Sequence, residues 1–296
     1  NMKLILLICM GLFFHTQTFA QLLSIEEKTI EIYRTALPST VNVANIKLAQ
    51  NLFHGDVEIP QGAGSGFVWD KEGHIVTNFH VVQGGNNFVV TFHNDAKQYK
   101  AKLVGSAPHK DIAVLKLSEL PKNLTPIKLG SSKNLLVGQS SFAIGSPFGL
   151  DYTLTTGVVS ALGRKIDGIG GVKINDMIQT DAAINMGNSG GPLLNSSAQL
   201  IGMNTVIFST SGSSAGLGFA VPSDTIQVVV PQLIKDGKLT RPGLGIGLVP
   251  ENMKIRLMGD SKGIIISHID EQGGAAKAGL KGLTHDRYGR MYLGDI

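Results

Sequence analysis

A chain of 296 residues is long enough for one large domain or two ordinary ones, and 43% hydrophobic with 16% charged residues makes it globular rather than disordered. With 26 Lys and Arg against 22 Asp and Glu, the formal charge is +4. No basic block stands out, which argues against a nucleic-acid partner. The 37 glycines and only 6% aromatics favour many turns and short strands over long helices.

Lys3 is followed by an apolar run from Leu4 to Phe14, a polar stretch and Thr18-Phe19-Ala20. This pattern predicts a signal peptide over residues 1–20, cleaved after Ala20, and export to a bacterial periplasm. The run is too short for a membrane-spanning helix, which needs ~20 apolar residues. Cleavage there removes Cys9, the one cysteine of the sequence. Disulfides, cysteine metal sites and a cysteine nucleophile are then excluded, and no metal-ligand set or cofactor motif is expected.

Residues 21–38 predict a helical segment, with Leu22, Ile25, Ile30 and Tyr33 spaced among charges. Residues 39–237 change to short β-type runs such as 66–69, 74–77, 88–92, 112–117 and 200–207, separated by turn-forming stretches. Many strands of this length predict a mostly β domain, a barrel or a sandwich. One helix closes it. Ser223 or Asp224 is the expected cap with Gln227 completing a capping box, and Gly237 is the expected stop. Pro231 inside this pattern should kink or split the helix. Residues 238–242 read as a linker and 243–296 as a second, partial domain, since Leu293 to Ile296 is a strand entry without its strand.

The sharpest chemical signal is Gly187-Asn188-Ser189-Gly190-Gly191-Pro192. A serine hydroxyl becomes a nucleophile only when a base takes its proton and donors face the developing oxyanion. Glycines let the backbone turn sharply, so the N–H groups of Gly187 and Ser189 can form that donor pair. Thr77-Asn78-Phe79-His80-Val81-Val82 places the candidate base, His80, at the end of a strand. Asp111, ahead of the run Ile112 to Leu115, is the candidate acid that sets the tautomer of His80. The order His80, Asp111, Ser189 is the chymotrypsin order. Gly187-x-Ser189-x-Gly191 also matches a nucleophile elbow, but that turn leads into a helix and precedes its acid and histidine. Here Pro192 and β-type residues follow, and the histidines beyond Ser189 are only His268 and His285.

Those three blocks resemble the HtrA (Deg/Do-like) protease family, as do residues 143–149, 179–185 and 218–222. The resemblance implies a trypsin-like double six-stranded β-barrel followed by a PDZ domain. It also implies an ATP-independent serine endopeptidase acting on unfolded or misfolded exported polypeptides, with a holding role, in trimers or assemblies of trimers. By the same match His80 is the base, Asp111 the orienting acid and Ser189 the nucleophile, while Asn188 and Ile207 bind substrate. Ile207 would favour a small aliphatic residue before the cut. Met186 departs from the family, which often has proline there. Leu244-Gly245-Ile246 resembles the PDZ turn that holds a peptide C-terminus, Ala275 to Leu280 its short helix, and Arg287 to Asp295 an insertion of plant and cyanobacterial Deg enzymes.

Overall fold

The computed structural model describes residues 22–51, 55–146, 152–167, 173–185, 187–205, 216–240, 243–259 and 262–295. The leader-like residues 1–20, Met186 and Ile207 lie outside them. The chain divides into two units, Asn1–Leu239 and Thr240–Ile296.

In the first unit, helix α1 (Ser24–Ala36) precedes strands β1 (Thr40–Asn51), β2 (Gly55–Val68) and β3 (His74–Thr77). A one-turn helix α2 (Phe79–Val82) follows, then β4 (Asn87–Phe92), β5 (Gln98–Ala107) and β6 (Ile112–Leu117). These six strands close a barrel in the order β1-β2-β3-β6-β5-β4. The next six are β7 (Ser140–Gly145), β8 (Thr153–Asp167), β9 (Lys173–Thr180), β10 (Pro192–Leu194), β11 (Leu200–Thr205) and β12 (Gly218–Pro222). They close a second barrel in the order β10-β11-β12-β9-β8-β7. The fold is the double six-stranded barrel that the resemblance implies.

Side chains on a strand alternate between its two faces, and that alternation builds three packed layers. Ala113 and Leu115 of β6 join Val43, Val68, Ile75 and Val90 inside the first barrel. Ile178, Leu193, Ile201 and Ala220 fill the second. Ile112 and Val114, on the other face of β6, pack with Phe67, Val76, Ile144, Met203 and helix α3 (Ser223–Asp236) in the seam between the barrels. Strand β6 is therefore buried on both sides, which is why its sequence is a continuous apolar run rather than an alternating one. Each such fully buried aliphatic side chain contributes ~1.5–3 kcal/mol relative to exposure.

Two expectations about α3 need correction. Its cap is Pro222, whereas the Asp224 carboxylate accepts the Ser132 backbone N–H (3.0 Å) and Ser223 Oγ donates to the Gly130 carbonyl (3.1 Å). Both side chains hold the 130–132 loop, and that tertiary use outweighs local capping. Nor does Pro231 split the helix, which runs unbroken to Asp236 with Gly237 left-handed beyond it (φ 69). Helix α1 is tied to the barrels through Tyr33 Oη, which donates to the Tyr152 carbonyl (3.0 Å). Tyr152 Oη in turn donates to the Thr91 carbonyl (3.0 Å), and burial pushes the Tyr152 phenol up.

The second unit contains β13 (Ile246–Leu248), α4 (Glu251–Met258), β14 (Ile266–Ile269), α5 (Gly274–Lys277), β15 (Thr284–His285) and β16 (Met291–Tyr292). Strand β13 pairs with β14 and β15 with β16. Helix α4 has no counterpart among the sequence expectations; its residues show no buried face that would have marked it.

Leu115→Ala should lower the unfolding free energy of the first unit by ~2–5 kcal/mol, since it opens a cavity in a fully buried layer. Val228→Ala, on the exposed side of α3, should change it by under ~0.5 kcal/mol in the same denaturant titration. The raised Tyr152 phenol stays protonated in the folded state while the unfolded chain ionises near pH ~10. Its stabilisation is therefore complete below that pH and lost above it, and Tyr152→Phe should flatten part of the alkaline fall in Tm.

Candidate active site

The histidine sits one turn beyond the strand expected to carry it. Strand β3 ends at Thr77, and His80 lies in the short helix α2. Asn78, at the corner between them, is fully buried and donates through Nδ2 to the Asp111 carbonyl (3.0 Å) and Thr205 Oγ1 (2.9 Å). Asp111 follows a single 3-10 turn, Pro108–Lys110, and adopts a left-handed backbone (φ 53) before β6 begins. Asp is among the few non-glycine residues that enter this region readily. The turn aims both its carbonyl and its carboxylate at α2.

Hydrogen bonds then join α2 to Asp111. The Phe79 backbone N–H donates to the Asp111 carbonyl (3.2 Å), and the His80 backbone N–H donates to Asp111 Oδ1 (3.0 Å). His80 Nδ1 lies 2.9 Å from Asp111 Oδ2 and 3.1 Å from Oδ1. A carboxylate accepts and does not donate, so the ring proton belongs on Nδ1 and Nε2 is left with its lone pair. The two side chains are only 16% and 8% exposed, which shields the pair from competing water.

The serine turn is positioned from several strands at once. Gly187 (φ 101) and Gly190 (φ 84) take left-handed backbone angles on either side of Asn188 and Ser189. The Gly190 N–H donates to the Asn204 carbonyl (2.8 Å), the Gly191 N–H to the Asn188 carbonyl (3.0 Å), and the Ser65 N–H to the Ser189 carbonyl (2.7 Å). A Cβ on Gly190 would lie 2.1 Å from the Ser65 carbonyl oxygen and 2.5 Å from Thr77 Oγ1, so only glycine fits. Gly64 ties this turn to the histidine. A Cβ there would lie 2.7 Å from Val81 Cγ2 and 3.0 Å from the Ser189 carbonyl oxygen. The backbone of Ser189 and the neighbour of His80 thus flank one strand residue, and Ser189 itself is buried.

Of the other expected positions, Asn188 lies within the serine turn and is buried. Its Nδ2 donates to the Ala183 carbonyl (3.0 Å) and its Oδ1 accepts the Asn185 N–H (3.1 Å). The side chain is turned inward and braces its own loop. Ile207 is outside the described residues. In the second unit, the Leu244 carbonyl accepts the Ala275 N–H (2.8 Å) and the Gly245 carbonyl accepts the Asp270 N–H (2.7 Å). Gly245 is left-handed (φ 73) and leads into β13 at Ile246. Among the described residues, β13 has a partner on one edge only.

Sequence reading missed Ser65, Asn78, Asn204 and Thr205, all buried at this site. The signal for Ser65 was present: Gly64 and Gly66 flank it inside a strand, and glycine within a strand marks close backbone approach. Among the described residues, Asp70, Glu72 and His74 form a cluster of metal-ligand type. Asp70 is already engaged there, by His74 Nδ1 (2.6 Å) and by the backbone N–H groups of Glu72 (2.9 Å) and His74 (3.1 Å). The cluster is accounted for as a brace of the β2–β3 turn.

The family model for a trypsin-like peptidase domain matches residues 64–203, the span that carries His80, Asp111 and Ser189. Protease Do-like 5, chloroplastic, of Arabidopsis thaliana is 45% identical over 233 residues, covering 73% of this chain and 72% of that protein. The chain belongs to the Do-like, or HtrA, protease family. Protease Do-like 1, chloroplastic, of the same plant is 52% identical over 274 residues, covering 92% of this chain. The chain spans 62% of the length of that Do-like relative. Among solved structures, the HtrA-type protease AlgW with a decapeptide superimposes with a TM-score of 0.70 at 34% identity, covering 86% of this chain and 83% of the other.

Gly190→Ala should destabilise the first unit by more than twice the loss caused by Gly84→Ala. Gly84 is also left-handed (φ 75) but opens onto empty space, so its substitution costs ~1–2 kcal/mol of backbone strain alone. Denaturant unfolding of the two variants side by side measures the difference.

Proposed function

We propose that this chain is an ATP-independent serine endopeptidase that cuts unfolded or misfolded polypeptides, with Ser189 as nucleophile, His80 as base and Asp111 as orienting acid. The observation that carries the reading is the bonding of His80 Nδ1 to the Asp111 carboxylate at 2.9 Å, beside a glycine-built serine turn. Nε2 of His80 takes the Ser189 hydroxyl proton as Oγ attacks the carbonyl carbon of the peptide bond. The negative charge gathers on the carbonyl oxygen, and the N–H groups of Gly187 and Ser189 receive it. His80 then passes its proton to the leaving amine, the C–N bond breaks, and an acyl ester remains on Ser189. Water attacks the ester with His80 again as base, releasing the acid and restoring the hydroxyl. Asp111 stabilises the imidazolium through both steps without itself taking the proton.

The remaining roles follow the family. Ile207 lines the pocket for a small aliphatic residue before the cut. The second unit acts as a PDZ-type module: Leu244, Gly245 and Ile246 hold a peptide C-terminus while the peptide adds to the one-sided edge of β13. Trimers, or assemblies of them, are the working form, and the uncut substrate can be held as well as cleaved. The basic and apolar residues 3–14 support a setting outside the cytoplasm, the periplasm in a bacterial host.

Ser189→Ala should reduce casein cleavage, measured without ATP, to background, and it should abolish labelling by a fluorophosphonate probe. Cleavage unchanged by that substitution would remove the reading. Asp111→Asn keeps the geometry but favours the wrong tautomer of His80, and kcat should fall by about 10⁴.

A further inference from the structure

Resting on that assignment of Ser189 as nucleophile, we propose that Ser65 is a positioning residue for the oxyanion donors, and that its hydroxyl holds the serine turn in its reactive shape. Ser65 lies on β2, fully buried, between two glycines. Its Oγ lies 2.6 Å from the Gly187 carbonyl oxygen and 2.8 Å from the Ser146 backbone nitrogen. The hydroxyl proton has one place to go. The Ser146 N–H can only donate and the Gly187 carbonyl can only accept, so the chain runs from Ser146 N–H to Ser65 Oγ and from its O–H to Gly187. Donors in such a chain polarise one another, which strengthens the terminal bond.

The same residue grips the turn a second time, since its backbone N–H donates to the Ser189 carbonyl (2.7 Å). Ser65 thus binds the carbonyls of both residues whose N–H groups are the oxyanion donors. The far sides of those two peptide planes are also held, by the Asn188 N–H on the Asn185 carbonyl (3.2 Å) and the Gly190 N–H on the Asn204 carbonyl (2.8 Å). The plane carrying the Ser189 N–H lies between these two, and its own carbonyl, that of Asn188, accepts the Gly191 N–H (3.0 Å).

Gly187 is the weak point of this arrangement. Glycine takes positive and negative φ with nearly equal ease, so its own conformation does not hold it at φ 101. From outside the turn, the Ser65 hydroxyl supplies a hold on its carbonyl. The anchor is itself fixed. Thr77 Oγ1 donates to the Ser65 carbonyl (2.7 Å), and Asn42 Nδ2 donates to the carbonyls of Gly64 (3.2 Å) and Ser146 (3.1 Å). Asn42, Ser65 and Thr77 belong to the first barrel and Ser146 follows β7 of the second. The shape of the turn is therefore set by the meeting of the barrels.

The test is Ser65→Ala in the full chain, compared with the unaltered protein and with Ser189→Ala. Loss of one oxyanion donor costs ~10²–10³ in kcat, so kcat for a chromogenic peptide should fall ~10- to 10³-fold with KM within ~3-fold. Affinity for a peptide boronate, which forms a tetrahedral adduct on Ser189, should fall by the same factor as kcat. A merely structural loss would not couple those two quantities while leaving KM in place. Unchanged kcat in a folded Ser65→Ala, or a kcat loss with boronate affinity intact, overturns the proposal. If Ser65→Ala does not fold, Ser65→Cys keeps a weaker donor of similar bulk and is held to the same two criteria. If Ser189→Ala leaves cleavage intact, the failure lies in the underlying reading; if Ser189→Ala is dead and Ser65→Ala is not impaired, it lies in this proposal alone.

Discussion

Where two closed barrels meet, backbone amides and carbonyls are cut off from water, and each must find a partner within the protein. The turn 187–191 lies at such a junction. Its carbonyls at Gly187 and Ser189 are taken by Ser65, and its Gly190 N–H by Asn204. An exposed glycine-rich turn would sample many conformations, because glycine loses more backbone entropy on ordering than any other residue. Here the obligation to satisfy buried polar groups converts a glycine-rich turn into a defined one.

The same obligation shapes the histidine side of the site. Asp111 accepts from the backbone and the ring of one residue, while its own carbonyl accepts from Phe79 and Asn78. Asn78 extends the network to Thr205 on the second barrel. Each barrel is thus an ordinary hydrophobic layer inside, but the polar residues of the junction face each other across it. Breaking one partner leaves another buried and unsatisfied, which is the costly case for a hydrogen bond. The site and the junction are held by one set of bonds.

Legibility in the sequence followed the range over which each residue acts. His80, Asp111 and Ser189 stood out as candidates because each stands in a short, distinctive block. Gly187 and Gly190 were readable because a sharp turn needs φ values that other residues resist. The glycines beside Ser65 marked a close approach but not its partner Gly187, 122 residues away, nor could Thr205 be read as the partner of Asn78, 127 residues off. Asp224 looked like a helix cap because capping is local, yet it spends its carboxylate on Ser132, 92 residues distant. Asn188 is the opposite case. Its partners Ala183 and Asn185 are near in sequence, but the loop folds the amide inward, and nothing in the residue order gives the direction.

By itself, the amino-acid order determined the strands, from their apolar runs and period, the left-handed turns, from their glycines, and the three candidate catalytic side chains, from their local blocks. These are all consequences of sterics and burial acting over a few residues. Only the tertiary structure decided which distant hydroxyls and amides answer the buried groups of the turn. Hydrogen-bond partners are chosen by position in space, and that position exists only after both barrels have closed and met.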